Sequence, residues 1–268
     1  MFYKLPVYKK LLRSISWKVF NYLENNNNAN IEKNGELTFI KNFLKIKSNK
    51  ERKKLVIFDV GANIGGYTDI IIKESSKFEL NVFVHLFEPQ KRLYTILQEK
   101  YKNLDNIYVN NFGLSDENVI THIYYDKEGS SLASLYKRKL KHYKINFDKS
   151  EKILLKRADS YVQEKELTHI DLIKIDVEGH ELNVLFGFGE YLNGDFIDFI
   201  QFEYGGANLD SKTSLLDIYS YLEDRGFIIA KIYPQGLEIR DYKPFMENYC
   251  YSNYVAVSKK ILEDIKKR

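Results

Sequence analysis

From Lys53 onward, short apolar runs alternate with stretches whose apolar residues recur at helical spacing. The runs KLVIFDV, NVFVHLFEP, NIYVNNFGLSD, HIDLIKIDVEG and FIDFIQFEYGG have the length and character of strands. Between them, a helix is predicted to begin over Thr68 to Glu74. Another is predicted over KRLYTILQEKY, with Leu93, Ile96, Leu97 and Tyr101 on one face, and a third over ELNVLFGFGEYL. SLLDIYSYLEDRG reads as a further helix, closed by Gly226 at its C-terminal cap. Two last strands, FIIAKIYP and YSNYVAVS, follow without an obvious helix between them. Strand–helix alternation predicts an α/β fold with a mostly parallel sheet and helices on both faces. The final pair is expected to form an antiparallel hairpin at one edge. Ligands of such open sheets bind beyond the C-terminal strand ends. Asp59, Glu88, Ser115 with Asp116, Asp176 and Glu203 each close a predicted strand on that rim, more acid than strand ends alone require.

The first fifty residues follow a different pattern. Leu11, Leu12, Ile15, Val19 and Tyr22, with Trp17 offset, recur near helical spacing beside Lys9, Lys10, Arg13 and Lys18, and ENNNNAN then breaks the periodicity. An amphipathic helix packed on the main domain or on a partner subunit is expected, with a membrane-surface helix as the alternative. The chain therefore divides into an N-terminal helical and linker segment, 1–50, and a main domain, 51–260. At 268 residues and 44% hydrophobic it can bury one sizeable core. A net charge of +4, with acids and bases nearly matched, does not imply a nucleic-acid partner. No apolar run reaches membrane-spanning length, so stable membrane insertion is not expected, and the basic, mixed start is unlike a secretory signal. A lone cysteine, Cys250, excludes an intrachain disulfide framework and suits a reducing cytoplasm.

The stretch DVGANIGG, residues 59–66, admits three readings. A Walker loop ends in Gly-Lys-Ser/Thr, and this one does not. A dinucleotide fingerprint needs a glycine where Asn63 stands, because the backbone must approach a pyrophosphate there. A nicotinamide-dependent oxidoreductase is therefore disfavoured, as is a non-catalytic scaffold, which has no need of the acidic rim. The third reading is S-adenosylmethionine (SAM), which carries an ammonium, a carboxylate and a ribose but no phosphate. Asp59 can face the ammonium, loop amides the carboxylate, and Glu88 both ribose hydroxyls.

The segments IFDVGANIGGYT, LFEP, GLSD, DLIKIDVEGHE and FIQFEY together resemble the FkbM-type methyltransferases, in the family's order and at similar spacing. The resemblance implies a class I, Rossmann-like, seven-stranded methyltransferase fold and SAM-dependent O-methylation, often of sugars, polysaccharide precursors or natural products. It places Asp59, Gly61, Asn63, Gly65 and Glu88 on the cofactor, with Ala62 and Pro89 beside them. Asn111, Gly113, Ser115 and Asp116 are expected near the adenine.

Methyl transfer to an alcohol requires in-line positioning and a base or a metal. KIDVEGHEL puts Asp176, Glu178 and His180 over the cofactor, and Glu203 can join them; these four are the candidate catalytic residues. Gly179 is expected to serve the turn and Glu181 to begin the following helix. Asp176 and Glu203, with His180, are also candidate ligands for a divalent cation such as Mg²⁺, Mn²⁺ or Fe²⁺. Tyr204 and Asn208 offer stacking and hydrogen bonding to a sugar. Lys137, Arg138, Lys139 and Lys141 form either a solvated charge run or a clamp for the phosphates of an activated sugar. The expected protein is a cytoplasmic O-methyltransferase acting on a sugar or nucleotide-sugar, as part of surface-glycan synthesis. Homo-oligomerisation through the N-terminal helix is a further expectation.

Overall fold

Strand β1 (Lys54–Val60) is buried from Leu55 to its end, and its side chains serve two cores by turns. Val56, Phe58 and Val60 join one apolar cluster and Leu55 and Ile57 the other, as the two-residue period of a strand requires. A strand covered on both faces reads as a continuous apolar run, which is why KLVIFDV carries no polar alternation. The computed structural model describes residues 3–49 and 54–266; the expected boundary at residues 50 and 51 lies outside them.

Among the described residues the main sheet has eight strands. Besides β1 it holds β2 (Asn81–Phe87), β3 (Ile107–Asn110), β7 (Ile170–Ile175), β8 (Ile197–Tyr204), β9 (Phe227–Tyr233), β10 (Gly236–Ile239) and β11 (Ser252–Ser258), in the order β10-β9-β11-β8-β7-β1-β2-β3. The five strands β3, β2, β1, β7 and β8 run parallel, and β11 is antiparallel to both of its neighbours. Helices α5 (Ala158–Glu164), α6 (Glu181–Gly187) and α8 (Leu215–Glu223) cover one face, with the short α7 (Gly206–Ser211) following β8. Helices α2 (Glu36–Ser48), α3 (Gly66–Ser76), α4 (Lys91–Tyr101) and α9 (Lys259–Lys266) cover the other. Ser214 and Asp217 form a reciprocal capping box at the start of α8, and Gly226 with φ +84° follows its end. On α4, Leu93, Leu97 and Tyr101 are buried, whereas Ile96, expected on the same face, lies at its edge and is exposed.

The structure departs from the sequence expectation in three places. The sheet has eight strands rather than seven, because β10 adds an exposed edge through an antiparallel hairpin with β9. The last two predicted strands, β9 and β11, do pair antiparallel, but β11 lies inside the sheet between β9 and β8. Every residue of SNYVAVS is buried, which an edge position does not allow. Finally, the third predicted run breaks after Asn110. Its second half, β4 (Gly113–Ser115), joins β5 (Val119–Tyr125) and β6 (Lys149–Arg157) in a separate three-stranded sheet, order β4-β6-β5. That small sheet stands over the C-terminal ends of the parallel strands.

Helix α2 belongs to the core: Phe39, Ile40, Phe43 and Leu44 are buried against the sheet. Its Lys47 ammonium is buried between Asp171 on β7, at 2.6 Å, and Asp198 on β8. Helix α1 (Val7–Leu23) contains no buried residue.

Candidate active site

The chain turns sharply after β1. Gly61 (φ +83°), Asn63 (φ +50°) and Gly65 (φ +79°) take left-handed conformations, which glycine adopts freely and asparagine more readily than most residues. At Gly61 there is no space for more: a Cβ would stand 1.9 Å from the carbonyl oxygen of Asp176. The turn brings the ends of β1 and β7 together and aims α3 at the space above them. Asp59 is buried there. Its Oδ2 accepts from Thr68 Oγ1 of α3 at 2.7 Å, and its Oδ1 has no partner among the described residues. Burial raises its pKa, with the nearby Lys174 charge opposing. A buried oxygen left unpaired costs on the order of 1–3 kcal/mol until a donor arrives.

Glu88 closes β2 and faces the same space. Its Oε2 accepts from the Asn63 amide and its Oε1 from the Gln90 amide, both at 2.9 Å, and burial pushes its pKa up to about 7. Each oxygen keeps a lone pair for a further donor. Asp59, the glycine turn and Glu88 line one cavity of about 380 Å³, together with Ala62, Asn63, Pro89 and Gly113. Ile123, Ala133, Leu135, Ile153 and Leu155, from the small sheet and its connection, form its apolar wall. Sequence reasoning missed this wall. The alternation in VITHIYY and the run KILL were the signals that could have found it.

The remaining expected cofactor residues stand behind the cavity. Gly65 is the N-terminal cap of α3, and Tyr101 donates to its carbonyl at 2.8 Å. Asn111 donates to the carbonyls of Glu88 and Pro89 at 3.1 and 3.0 Å, which holds the Glu88 segment in place. Ser115 donates to Asp116 at 2.9 Å and also contacts His180.

The second group of residues follows β7. Register sets Asp59 beside Lys174 and Lys174 beside Gln201 across three adjacent strands. Lys174 donates to Asp176 Oδ2 at 2.8 Å. Burial pulls the Lys174 ammonium down, but the carboxylates of Asp176, Asp59 and Glu36 outweigh it and hold it above the usual lysine range. Glu178 takes φ +52°, which turns its side chain back to Arg138, whose Nη1 donates to Oε2 at 2.5 Å. Burial and then the Asp176 charge push the Glu178 pKa up to about 8 against the Arg138 cation. Oxygens of Asp176, Glu178 and Glu203 lie within 4.8 Å of one another. Burial and repulsion from Asp176 and Glu178 raise Glu203 well above the carboxylate range. Asp176, Glu178 and His180 line the cavity; Glu203 stands behind the first two.

His180 is not a free base. Its Nε2 lies 2.9 Å from Ser115 Oγ and its Nδ1 3.0 Å from the Tyr136 hydroxyl. The single Ser115 proton goes to Asp116, so Nε2 carries the proton toward Ser115 and Nδ1 accepts from Tyr136. Burial pushes the imidazole pKa down to about 4, and the ring is neutral at pH 7. These bonds also keep His180 out of the carboxylate cluster, which has Glu178 in the place expected for it. The three carboxylates offer oxygens at a spacing that a divalent cation accepts, yet Lys174 and Arg138 already pair with two of them.

Tyr204 and Asn208, expected to meet a sugar, are buried away from the cavity. Tyr204 donates to Glu247 at 2.6 Å, while Asn208 accepts from the Gly205 amide at 2.8 Å and donates to Glu181. Glu181 begins α6 and accepts from the Val177 and Gly179 amides, so it ties down the turn. Of the basic run, only Arg138 reaches the rim, where it pairs with Glu178 and Asp210; Lys137, Lys139 and Lys141 are exposed.

A family model described as methyltransferase FkbM domain matches residues 59–229, a span from Asp59 through Glu88 and Asp176 to beyond Glu203. Among solved structures, the chain is similar to a methyltransferase FkbM from Methylobacillus flagellatus KT, with TM-score 0.48 and 16% identity over 76% of this chain and 44% of that one. The chain thus spans less than half the length of that protein. It is also similar to the Methanococcus jannaschii fibrillarin pre-rRNA processing protein (TM-score 0.42, 14% identity, 78% of this chain and 68% of that one). A third is M. capricolum TrmK in complex with S-adenosylhomocysteine (TM-score 0.41, 11% identity, 82% and 67%). No curated protein sequence matches significantly. The family match takes in well over half of the chain, together with the glycine turn and both acidic groups, and the chain belongs to the FkbM methyltransferase family.

Proposed function

We propose that the protein is a SAM-dependent O-methyltransferase whose acceptor is a hydroxyl of a sugar, in a nucleotide-linked sugar or a surface-glycan precursor. One observation carries the reading: a single cavity presents the unpaired Oδ1 of Asp59, the carboxylate of Glu88 and, from the end of the neighbouring strand, Asp176 and Glu178. The residues fit SAM. Asp59 Oδ1 is a buried anionic acceptor suited to the ammonium, Glu88 has one lone pair per ribose hydroxyl, and the apolar wall suits the adenine. Bound SAM supplies a methyl on a sulfonium, which an oxygen nucleophile takes by in-line displacement.

The chain's own groups hold the acceptor. Asp176, kept in place by Lys174, accepts the hydroxyl proton as the new carbon–oxygen bond forms. Glu178, held by Arg138 and pushed above the usual carboxylate range by burial, hydrogen-bonds a neighbouring sugar hydroxyl and orients the acceptor. Its left-handed backbone fixes that carboxyl toward Asp176. A cytoplasmic location suits a chain whose lone cysteine is free and buried.

The test is a screen of nucleotide-sugar and glycan acceptors with SAM, with and without divalent metal, read by mass. A methyl gain on a hydroxylated sugar is the expected result. If only amine or carboxyl compounds gain the methyl, the O-methyl reading fails. Activity that survives thorough chelation shows that Lys174 and Arg138 are the only cations the carboxylates require.

A further inference from the structure

Helix α1 is docked with its apolar side outward. Its contact with the rest of the fold runs through Phe20, which meets Phe245 edge-on at 6.2 Å and stacks with Trp17 at 5.8 Å. The turn that follows is pinned: Lys231 donates to Asn26 at 2.8 Å, the Asn27 amide to the Tyr251 carbonyl at 2.8 Å, and Arg240 to Glu24. On a repeat of about 3.6 residues per turn, Val7, Leu11, Leu12, Ile15, Val19 and Leu23 share an arc centred away from Phe20, with Leu23 at the end nearest the groove beside Tyr233. All six are between 49 and 82% exposed. Tyr8 and Tyr22 lie within the same arc, and both are exposed.

Charge identifies what covers this arc. Residues 3–23 include Lys4, Lys9, Lys10, Arg13 and Lys18 and no Asp or Glu. Lys9 sits just beyond one end of the arc, past Leu23, and Lys18 lies inside the other end, between Val7 and Leu11. A second copy of the helix would bring these cations together with no acid to pair them, whereas an anionic surface attracts all of them. No described helix is long and apolar enough to cross a membrane, so α1 has the length and pattern to lie in the interface plane. Tyrosines within the arc suit the headgroup level, where one end of the ring is apolar and the other wet. We infer that α1 binds the surface of an anionic lipid bilayer, with its apolar arc among the upper acyl carbons and Lys9 and Lys18 at the lipid phosphates.

Co-sedimentation of the full chain with phosphatidylcholine vesicles, with and without about 30 mol% phosphatidylglycerol, tests this. Binding is expected to need the anionic lipid and to weaken as salt rises. The variant L11S/I15S/V19S should lose roughly tenfold or more in vesicle affinity, and each of Lys9→Gln and Lys18→Gln roughly fivefold. None of these side chains is buried, so circular dichroism and Tm should match the parent protein. Absence of binding to anionic vesicles, or binding equal in parent and triple variant, overturns the inference. A dimer in sedimentation equilibrium that the triple variant dissolves overturns it too, and assigns the arc to self-association.

Discussion

Asp59 and Asp176 are only a strand apart, yet their substitutions should separate binding from turnover. Asp59 Oδ1 is buried and unpaired, and in the proposed site it takes the SAM ammonium, where a charge-assisted hydrogen bond contributes about 1.5–3 kcal/mol. Asp59→Asn should therefore weaken SAM binding roughly 10- to 100-fold by isothermal titration. Asp176→Asn should leave SAM affinity within a few-fold and lower turnover roughly 10²- to 10⁴-fold, the usual scale for a lost general base. Glu178 gives a pH signature. Its pKa rises from 4.5 to about 8 on folding, so the folded state holds a proton that the unfolded state has lost between those values. The corresponding stability is present below the lower value and is lost as pH rises through the upper one. Melting temperatures from about pH 5 to about pH 9 should fall less steeply for Glu178→Gln than for the parent; equal slopes would contradict the assignment. The place of Asp59 and Glu88 on the cavity was legible because each sits where an apolar run stops, at the strand ends over which the cavity opens. His180, Tyr204 and Asn208 were not. Residue type suggests what they can bond, but only packing shows that Ser115, Tyr136, Glu247 and the Gly205 amide already have them.

At the level of elements, the parallel strands and their helices were readable from apolar period alone, because both faces of that sheet are covered. Helix α2 was harder to see. Its apolar stripe is closed by Glu36 and Lys47, polar residues that are nonetheless buried, and a hydrophobic pattern counts such positions as surface. Lys47 joins α2 to β7 and β8 through Asp171 and Asp198, so its loss leaves two buried carboxylates short of their cation. Lys47→Met should cost about 3–5 kcal/mol, a fall in Tm on the order of 10 °C by calorimetry, without altering any cavity residue. An unchanged Tm would show that His169, 3.1 Å from Asp198, takes over the pairing. The small sheet was missed for another reason. Strands β5 and β6 bury few positions, so KSEKILLKR looks mostly polar although Ile153 and Leu155 wall the cavity.

Across the whole molecule, the hydrophobic cores begin at α2, and α1 stands outside them. Removing residues 1–23 while keeping Glu24 and Asn26 should therefore leave Tm within about 2 °C, since surface changes usually move stability by no more than about 0.5 kcal/mol. SAM affinity, read by titration, should be unchanged. A large loss of either would tie α1 to the core or to the cavity. The place of β11 has a consequence in time. Of the eight described strands of the sheet it is the last in chain order, yet it sits between β8 and β9 and hydrogen-bonds to both. Until it is made, the β9–β10 hairpin has no bonded seat on the sheet, and β8 shows an open edge. The growing chain thus carries an unpaired apolar strand until Ser252–Ser258 emerges, a state that invites wrong pairing. Completion of the sheet waits on these seven residues, long after the glycine turn that follows β1 has been made.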